Sequence, residues 1–260
     1  MTIVSDADNS LLRNLREISS RQKVSATLAD HLDQYFSDAD VESTGEASPE
    51  ELHGAATQHH RLGFSRTPGQ AAIAFYTPDF DRHGWHSPHT VIDIVTDDMS
   101  FLVDSITMTV YRHGLAIHRL MHPLLGVERD ASGTLQKSCA RGTKGTQTES
   151  WIHLEIDRIS DAKQIEELRK EIIEVLADVR AAVEDSSAMR DSVTAAINDL
   201  KHTKEDDKGE IAEFLRWVAD DNFVFLGYTH YHAGANDSSL KRAPDGGLGL
   251  LRRVDHPRFG

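Results

Sequence analysis

Thr96, Asp97, Asp98, Met99 and Ser100 are the residues of this chain whose types and spacing point most directly to chemistry. They stand where a β-branched run (Val91, Ile92, Ile94, Val95) gives way to apolar residues three and four apart (Met99, Val103, Ile106, Val110). The first pattern predicts a buried strand and the second an amphipathic helix. Gly114 supplies the left-handed residue that commonly ends such a helix. A strand entering a helix through so short a turn leaves helix-end N–H groups at a mouth, where a small carboxylate is held. Asp97 and Asp98 then have two readings. As N-caps, their carboxylates accept helix N–H groups and complement the dipole. As one wall of an effector site, they hold the ammonium of an amino acid while backbone N–H groups hold its carboxylate.

Other candidates carry less. His83, His86 and His89 recur every third residue, a spacing zinc can use, but Gly84, Ser87 and Pro88 make that stretch a loop with no obvious carboxylate ligand. His118, His122 and His153 can face one another across paired strands. A small metal-dependent enzyme built on these histidines is therefore one alternative reading. The cluster Gly246-Gly247-Leu248-Gly249 fails as a dinucleotide loop, because Gly-x-Gly-x-x-Gly from Gly247 requires glycine where Arg252 stands; a hairpin turn fits better. No nucleophile–base pair or carboxylate dyad is present in the pattern. No residue is therefore assigned to catalysis, to cofactor binding or to a metal.

The elements that must position the turn are legible to different degrees. Residues 1–85 read as a helical accessory region, with apolar positions at Leu15, Ile18, Leu28, Leu32 and Phe36, a turn-rich acidic stretch at Ser37–Pro49, and a second helix over Pro49–Leu62. Residues 86–200 hold the clearest pattern: the opening strand and helix, a strand over Leu115–Val127, a polar loop over Glu128–Thr148, and a half-buried strand over Trp151–Asp157 in which Ile152, Leu154 and Ile156 alternate with Trp151, His153 and Glu155. A long helix follows, with Ile165, Leu168, Ile172, Val175, Val179 and Val183 as its apolar stripe and an Asp161/Gln164 capping signal. One further strand completes a βαββαβ unit, so the fold class is α+β of ferredoxin type with additional N-terminal helices. Residues 201–260 read as a helix and a strand hairpin, in which Phe223–Tyr231 pairs with Leu248, Leu250 and Leu251. That strand either closes the sheet or opens a further αβ unit.

Composition narrows the partners. A net charge of −14 over 260 residues argues against nucleic acid and anionic membranes. No apolar run approaches the ~20 residues of a membrane span, and the N-terminus lacks the basic and apolar regions of a signal peptide. Cys139 is the single cysteine, which excludes an internal disulfide and reads as a free thiol in a reducing cytoplasm.

Several long stretches share a further property. TVIDIVTDDMSFLVDSI, HGLAIHRLMHPLLGVERD, ESWIHLEIDR, VLADVRAAVED and EFLRWVADDNFVFLGY, followed by GLGLLR, together resemble the N-terminal region of the very large NAD-specific glutamate dehydrogenases of bacteria. The resemblance runs over roughly residues 75–255, with Ser100 where that family has proline and Ser186 where tryptophan usually follows. It implies ACT-type βαββαβ modules, which bind amino acids or pair edge to edge in oligomers. It also implies a parent enzyme that oxidises L-glutamate to 2-oxoglutarate and ammonium with NAD. The catalytic core and the NAD site of that family lie far C-terminal, and none of those residues maps onto this chain. The expectation is a regulatory and assembly segment, inactive alone, whose partners are the rest of the polypeptide, a further copy in a homo-oligomer, and an amino-acid effector. A stand-alone amino-acid-binding or oligomerisation module is the alternative.

Overall fold

The computed structural model describes residues 6–37, 47–202, 206–233, 240–243 and 246–253. The chain divides into two compact units, 1–175 and 176–260.

The first unit opens with three helices: α1 (Asp6–Gln22), α2 (Ala26–Tyr35) and α3 (Pro49–Gly63). The apolar positions read along Leu11–Phe36 fall on two helices, because the chain turns at Lys23, which takes a left-handed φ of 54°. Ser25 caps α2 through the Leu28 amide. Ser48 and Glu51 form a reciprocal capping box on α3, with Pro49 just inside the helix.

Six strands make one antiparallel sheet: β1 (Ala72–Tyr76), β2 (Thr90–Asp97), β3 (Ile117–Met121), β4 (Leu124–Arg129), β5 (Leu135–Ala140) and β6 (Gln147–Ile156). A short helix, α4 (Phe80–His83), joins β1 to β2, and α5 (Leu102–Arg112) joins β2 to β3. The helix α6 (Ala162–Glu184) begins in this unit, with Asp161 accepting the Lys163 amide at its start. The order is β1-β2-β6-β4-β5, with β3 also on β6. The long strand β6 pairs along its whole length with β2, and on its other edge with β3 at one end and β4 at the other.

The α+β class, the antiparallel sheet and the N-terminal helices agree with the sequence pattern, while two expectations change and one open alternative is decided. The run Leu115–Val127 is two strands, because the chain breaks at His122-Pro123 and proline donates no ladder hydrogen bond. The polar stretch Glu128–Thr148 contains β5, an edge strand whose exposed positions carry Gln136 and Lys137. The strand beside β2 that closes the sheet comes from before it, as β1, rather than from Phe223–Tyr231.

Alternation along the strands separates two buried faces. Ile92, Ile94, Ile152, Leu154 and Ile156 share one; Phe75 stands opposite Ile92 and lies under Arg169 of α6, so this is the face of α6. Val91, Asp93, Val95, Trp151, His153 and Glu155 share the other, beneath α1–α3. The strand predicted to be half-buried is therefore buried on both sides. Two glycines let α3 lie this close: a Cβ on Gly63 would fall 2.2 Å from the Trp151 ring, and one on Gly54 would fall 2.5 Å from Trp85.

The second unit holds α7 (Ser186–Leu200), α8 (Lys208–Trp217), a π-helical turn over Val218–Asn222 and two short strand pairs. In these, β7 (Gly227–Tyr228) pairs with β10 (Leu248–Gly249), and β8 (Tyr231–Ala233) with β9 (Leu240–Arg242). The expected pairing of Phe223–Tyr231 with the Leu248 segment is thus two residues long. Asp245 of the expected turn lies outside the described residues. Gly249 takes a φ of 59°, and its amide donates to Asp185, which also receives Arg252.

Candidate functional site

The turn from β2 into α5 is more elaborate than a direct entry. Thr96 is buried in the strand, opposite Ser150 of β6. Asp97 stands opposite Glu149, a like-charge pair that destabilises a sheet unless a cation intervenes. Arg66 intervenes: its Nη2 donates to Asp97 Oδ1 at 2.7 Å and to Glu149 Oε1 at 2.6 Å. Arg129 holds the other side of the fully buried Glu149 through Nε at 2.7 Å and Nη2 at 2.8 Å. Asp98 accepts the Ser150 hydroxyl at 2.9 Å and faces Arg141 at 3.5 Å.

Met99 and Ser100 then lead to Phe101, which takes a left-handed φ of 69° before α5 starts at Leu102. The N-capping reading of Asp97 and Asp98 is therefore corrected. Asp97 is held by Arg66, and Asp98 by Ser150 of β6 and by Arg141, while the N-cap residue of α5, Phe101, makes no side-chain cap hydrogen bond.

A second polar cluster lies under α3, and the sequence reading did not assemble it. Asp93 is buried in the middle of β2, where its Oδ1 lies 2.6 Å from His153 Nδ1 and its Oδ2 accepts the Tyr76 hydroxyl at 2.7 Å. His59 of α3 donates from Nε2 to the Ile94 carbonyl at 3.2 Å, and its Nδ1 accepts the Tyr35 hydroxyl at 2.9 Å. Glu155 accepts Ser87 at 2.6 Å and is paired with Arg119. His153 Nε2 stands 3.6 Å from Glu155 Oε1, beyond hydrogen-bond length, so the two attract through charge.

Burial opposes a charge on His153, but Asp93 and Glu155 outweigh it and lift that imidazole to about 9. Burial pushes Glu155 up, and Ser87 with the charges of His153 and Arg119 pulls it down to about 2. Burial holds His59 down to about 4 against the attraction of Asp93. His153 thus carries a proton between two carboxylates, while His59 is neutral.

His59, Asp93 and His153 are the one group among the described residues with ligand atoms close enough for a metal, all within 4.8 Å of one another. The distances are those of a hydrogen-bonded network instead. Zinc with bonds of ~2.0–2.1 Å sets tetrahedral ligands roughly 3.3 Å apart, whereas Asp93 and His153 sit at 2.6 Å with a proton between them. The histidines singled out by spacing do not converge on one point. His83 stacks on Tyr76, His86 on Phe80, and His89 on His118, which also pairs with Asp157. His122 is partly buried, next to Met121 that stands opposite His153, and its Nε2 is buried without a hydrogen-bond partner.

The signal for the missed cluster was present locally. Asp93 interrupts an otherwise apolar strand, and His153 and Glu155 share a strand face with Trp151. What the sequence did not reveal was the helix that covers that face.

The model of the family described as "Glutamate dehydrogenase, ACT1 domain" matches residues 31–172. The chain belongs to this glutamate dehydrogenase ACT1 family. The ACT1 match takes in α3, the whole sheet, α5 and the start of α6, so it contains both the β2–α5 turn and the buried network. The chain is also similar to proteins named NAD-specific glutamate dehydrogenase. With that of Halomonas elongata it shares 33% identity over 234 residues, 86% of this chain and 14% of the relative. With that of Pseudomonas aeruginosa it shares 33% over 205 residues, 76% of this chain and 13% of the relative. With that of Mycobacterium tuberculosis it shares 28% over 201 residues, 75% and 12%. The ACT1 chain therefore spans about one seventh of the length of these relatives. No helix among its described residues is long and apolar enough to cross a membrane.

Proposed function

We propose that this ACT1 chain is the N-terminal regulatory and assembly segment of an NAD-dependent glutamate dehydrogenase. The enzyme's oxidation of L-glutamate to 2-oxoglutarate and ammonium, and its NAD site, belong to other parts of that polypeptide. The observation that carries the reading is the joint match: an ACT1 domain over 31–172 and 33% identity to an NAD-specific glutamate dehydrogenase over 86% of the chain. In this reading residues 1–85 are an accessory layer, 86–200 the ACT-like module and 201–260 the start of a following one. The enzyme is a cytoplasmic homo-oligomer that engages neither nucleic acid nor membrane.

Within it, the Thr96–Ser100 turn is the effector site. The uncapped amides of α5 support a carboxylate there, and Asp97 and Asp98 support an ammonium beside it. Binding alters activity elsewhere only if the effector prefers one of two conformations of the assembly. Titration of the chain with each amino acid by calorimetry tests the site. Asp98→Asn is the informative variant, because Asp97→Ala also strips Arg66 of a partner. Loss of one charge-assisted hydrogen bond weakens binding about tenfold or more. An Asp98→Asn chain, or an Asp97→Ala/Asp98→Ala chain, that binds every amino acid as the parent does removes the site assignment.

A further inference from the structure

The helices α2 and α3 are tied to the sheet by histidines. Among the described residues, the side-chain hydrogen bonds from these two helices to the sheet are His31 Nδ1 with Ser138 Oγ at 2.7 Å and His59 Nε2 with the Ile94 carbonyl at 3.2 Å. The second bond fixes the His59 proton on Nε2, so Nδ1 is the acceptor for the Tyr35 hydroxyl. A further proton on His59 reverses that bond, with Nδ1 donating to the Tyr35 oxygen and the hydroxyl proton turned away into a buried site.

His31 and His60 lie with ring centroids 4.6 Å apart, and the Nε2 of each is buried without a hydrogen-bond partner. Trp151 of β6 lies against His31 at 4.6 Å and against His59 at 5.1 Å.

The charges that face these rings do not welcome another cation. From β4, Arg129 repels both His31 and His60, and Arg61 repels His60 from its own helix. From β2, Asp93 attracts His59, but it already receives His153 of β6 and Tyr76 of β1. Glu149 of β6 is saturated by Arg66 and Arg129. From β5 the facing group is the Ser138 hydroxyl, and from α2 the Tyr35 hydroxyl.

We propose that α2 and α3 form an acid-released cover: protonation of His31, His59 and His60 crowds cations between these helices and the sheet, where the carboxylate near His59 Nδ1, Asp93 at 3.8 Å, already receives His153, and lifts the helices off it. The face beneath is apolar, formed by Val95, Leu125, Val127 and Trp151. This device does not depend on the effector site. Burial supports it by holding His59 and His60 down to about 4 and His31 well below its ordinary value. In the sheet, Asp93 lies below its ordinary value and Glu155 at about 2.

Hydrogen exchange read by mass spectrometry on the full chain, at pH 7.5 and pH 5.0 with intrinsic rates corrected, tests the proposal. Amides of α2 and α3 lose at least about tenfold protection at pH 5.0 while β2 and β6 keep theirs. In His31→Gln/His60→Gln the loss moves to lower pH. Unchanged protection of α2 and α3 at pH 5.0, loss in helices and sheet together, or opening of the double variant at the parent's pH each overturns it. Should that variant fail to fold, histidine NMR of the parent decides. Imidazoles that stay neutral until the helices open support the cover; imidazoles that titrate near pH 6.5 with the helices in place overturn it.

Discussion

Glu149→Ala is the perturbation that most sharply tests how the sheet is held beside the β2–α5 turn. Glu149 is fully buried and receives contacts from both Arg66 and Arg129, whose side chains are 1% and 6% exposed. Removing it leaves two buried guanidiniums side by side. Arg66 keeps Asp97 and the Gln70 carbonyl, whereas Arg129 keeps the Gly133 carbonyl. Breaking a buried ion pair by deleting one partner costs about 3–5 kcal/mol. Because Asp97 still compensates Arg66, the lower end applies, about 3 kcal/mol. For a unit of this size that is roughly 6–12 °C in Tm. Urea denaturation followed by circular dichroism at pH 7.5 measures it without screening the charges. Coupling supplies a second check: Glu149→Ala/Arg129→Ala is less destabilised than the sum of its single variants by at least about 1 kcal/mol. A Glu149→Ala loss under about 1 kcal/mol, the range of an exposed salt bridge, refutes the buried clamp.

Gly63→Ala places a Cβ 2.2 Å from the Trp151 ring, so its overpacking cost of about 1–3 kcal/mol exceeds the helix preference for alanine; a melt with a lowered midpoint and altered Trp151 emission is expected. Stability peaks near neutral pH and declines on both sides, read by urea midpoints from pH 4.5 to 9.5. On the acid side, the folded value of His59, about 4, lies below its unfolded value. Its contribution is whole above pH 6.5 and is lost as pH falls toward 4, about 2 kcal/mol by pH 5. On the alkaline side, His153 at about 9 lies above its unfolded value. Its contribution is whole below pH 6.5 and is lost as pH rises through 9. His153→Gln removes the alkaline decline; a parent profile flat from pH 6 to 9.5 contradicts the charged state of that residue.

The strand–turn–helix at Thr90–Gly114 was legible because its two periodicities are strong and local. Trp151–Ile156 was legible as a strand for the same reason, but its second buried face was not. His153 and Glu155 look like solvent-side residues until α3, nearly a hundred positions earlier, is seen to cover them. β1 escaped because AIAFY is a short run without alternation, lying between Pro68 and Pro78. β5 escaped because an edge strand exposes polar side chains and reads as loop. At the turn itself, the residues were found and their partners were not: Arg66, Arg129 and Glu149 come from three separate segments, and no local pattern joins them.

The central claim, that this chain is a control segment of a glutamate dehydrogenase, is tested most directly on the native gene product in extracts of its own cells. An antibody to this chain, applied to a denaturing gel and to a native gel stained for glutamate- and NAD-dependent reduction, reads both mass and activity. One polypeptide several times heavier than 28.9 kDa, migrating as an oligomer with that activity, is expected. A reactive band at 28.9 kDa, separate from the glutamate-oxidising activity, contradicts it and leaves a stand-alone binding module.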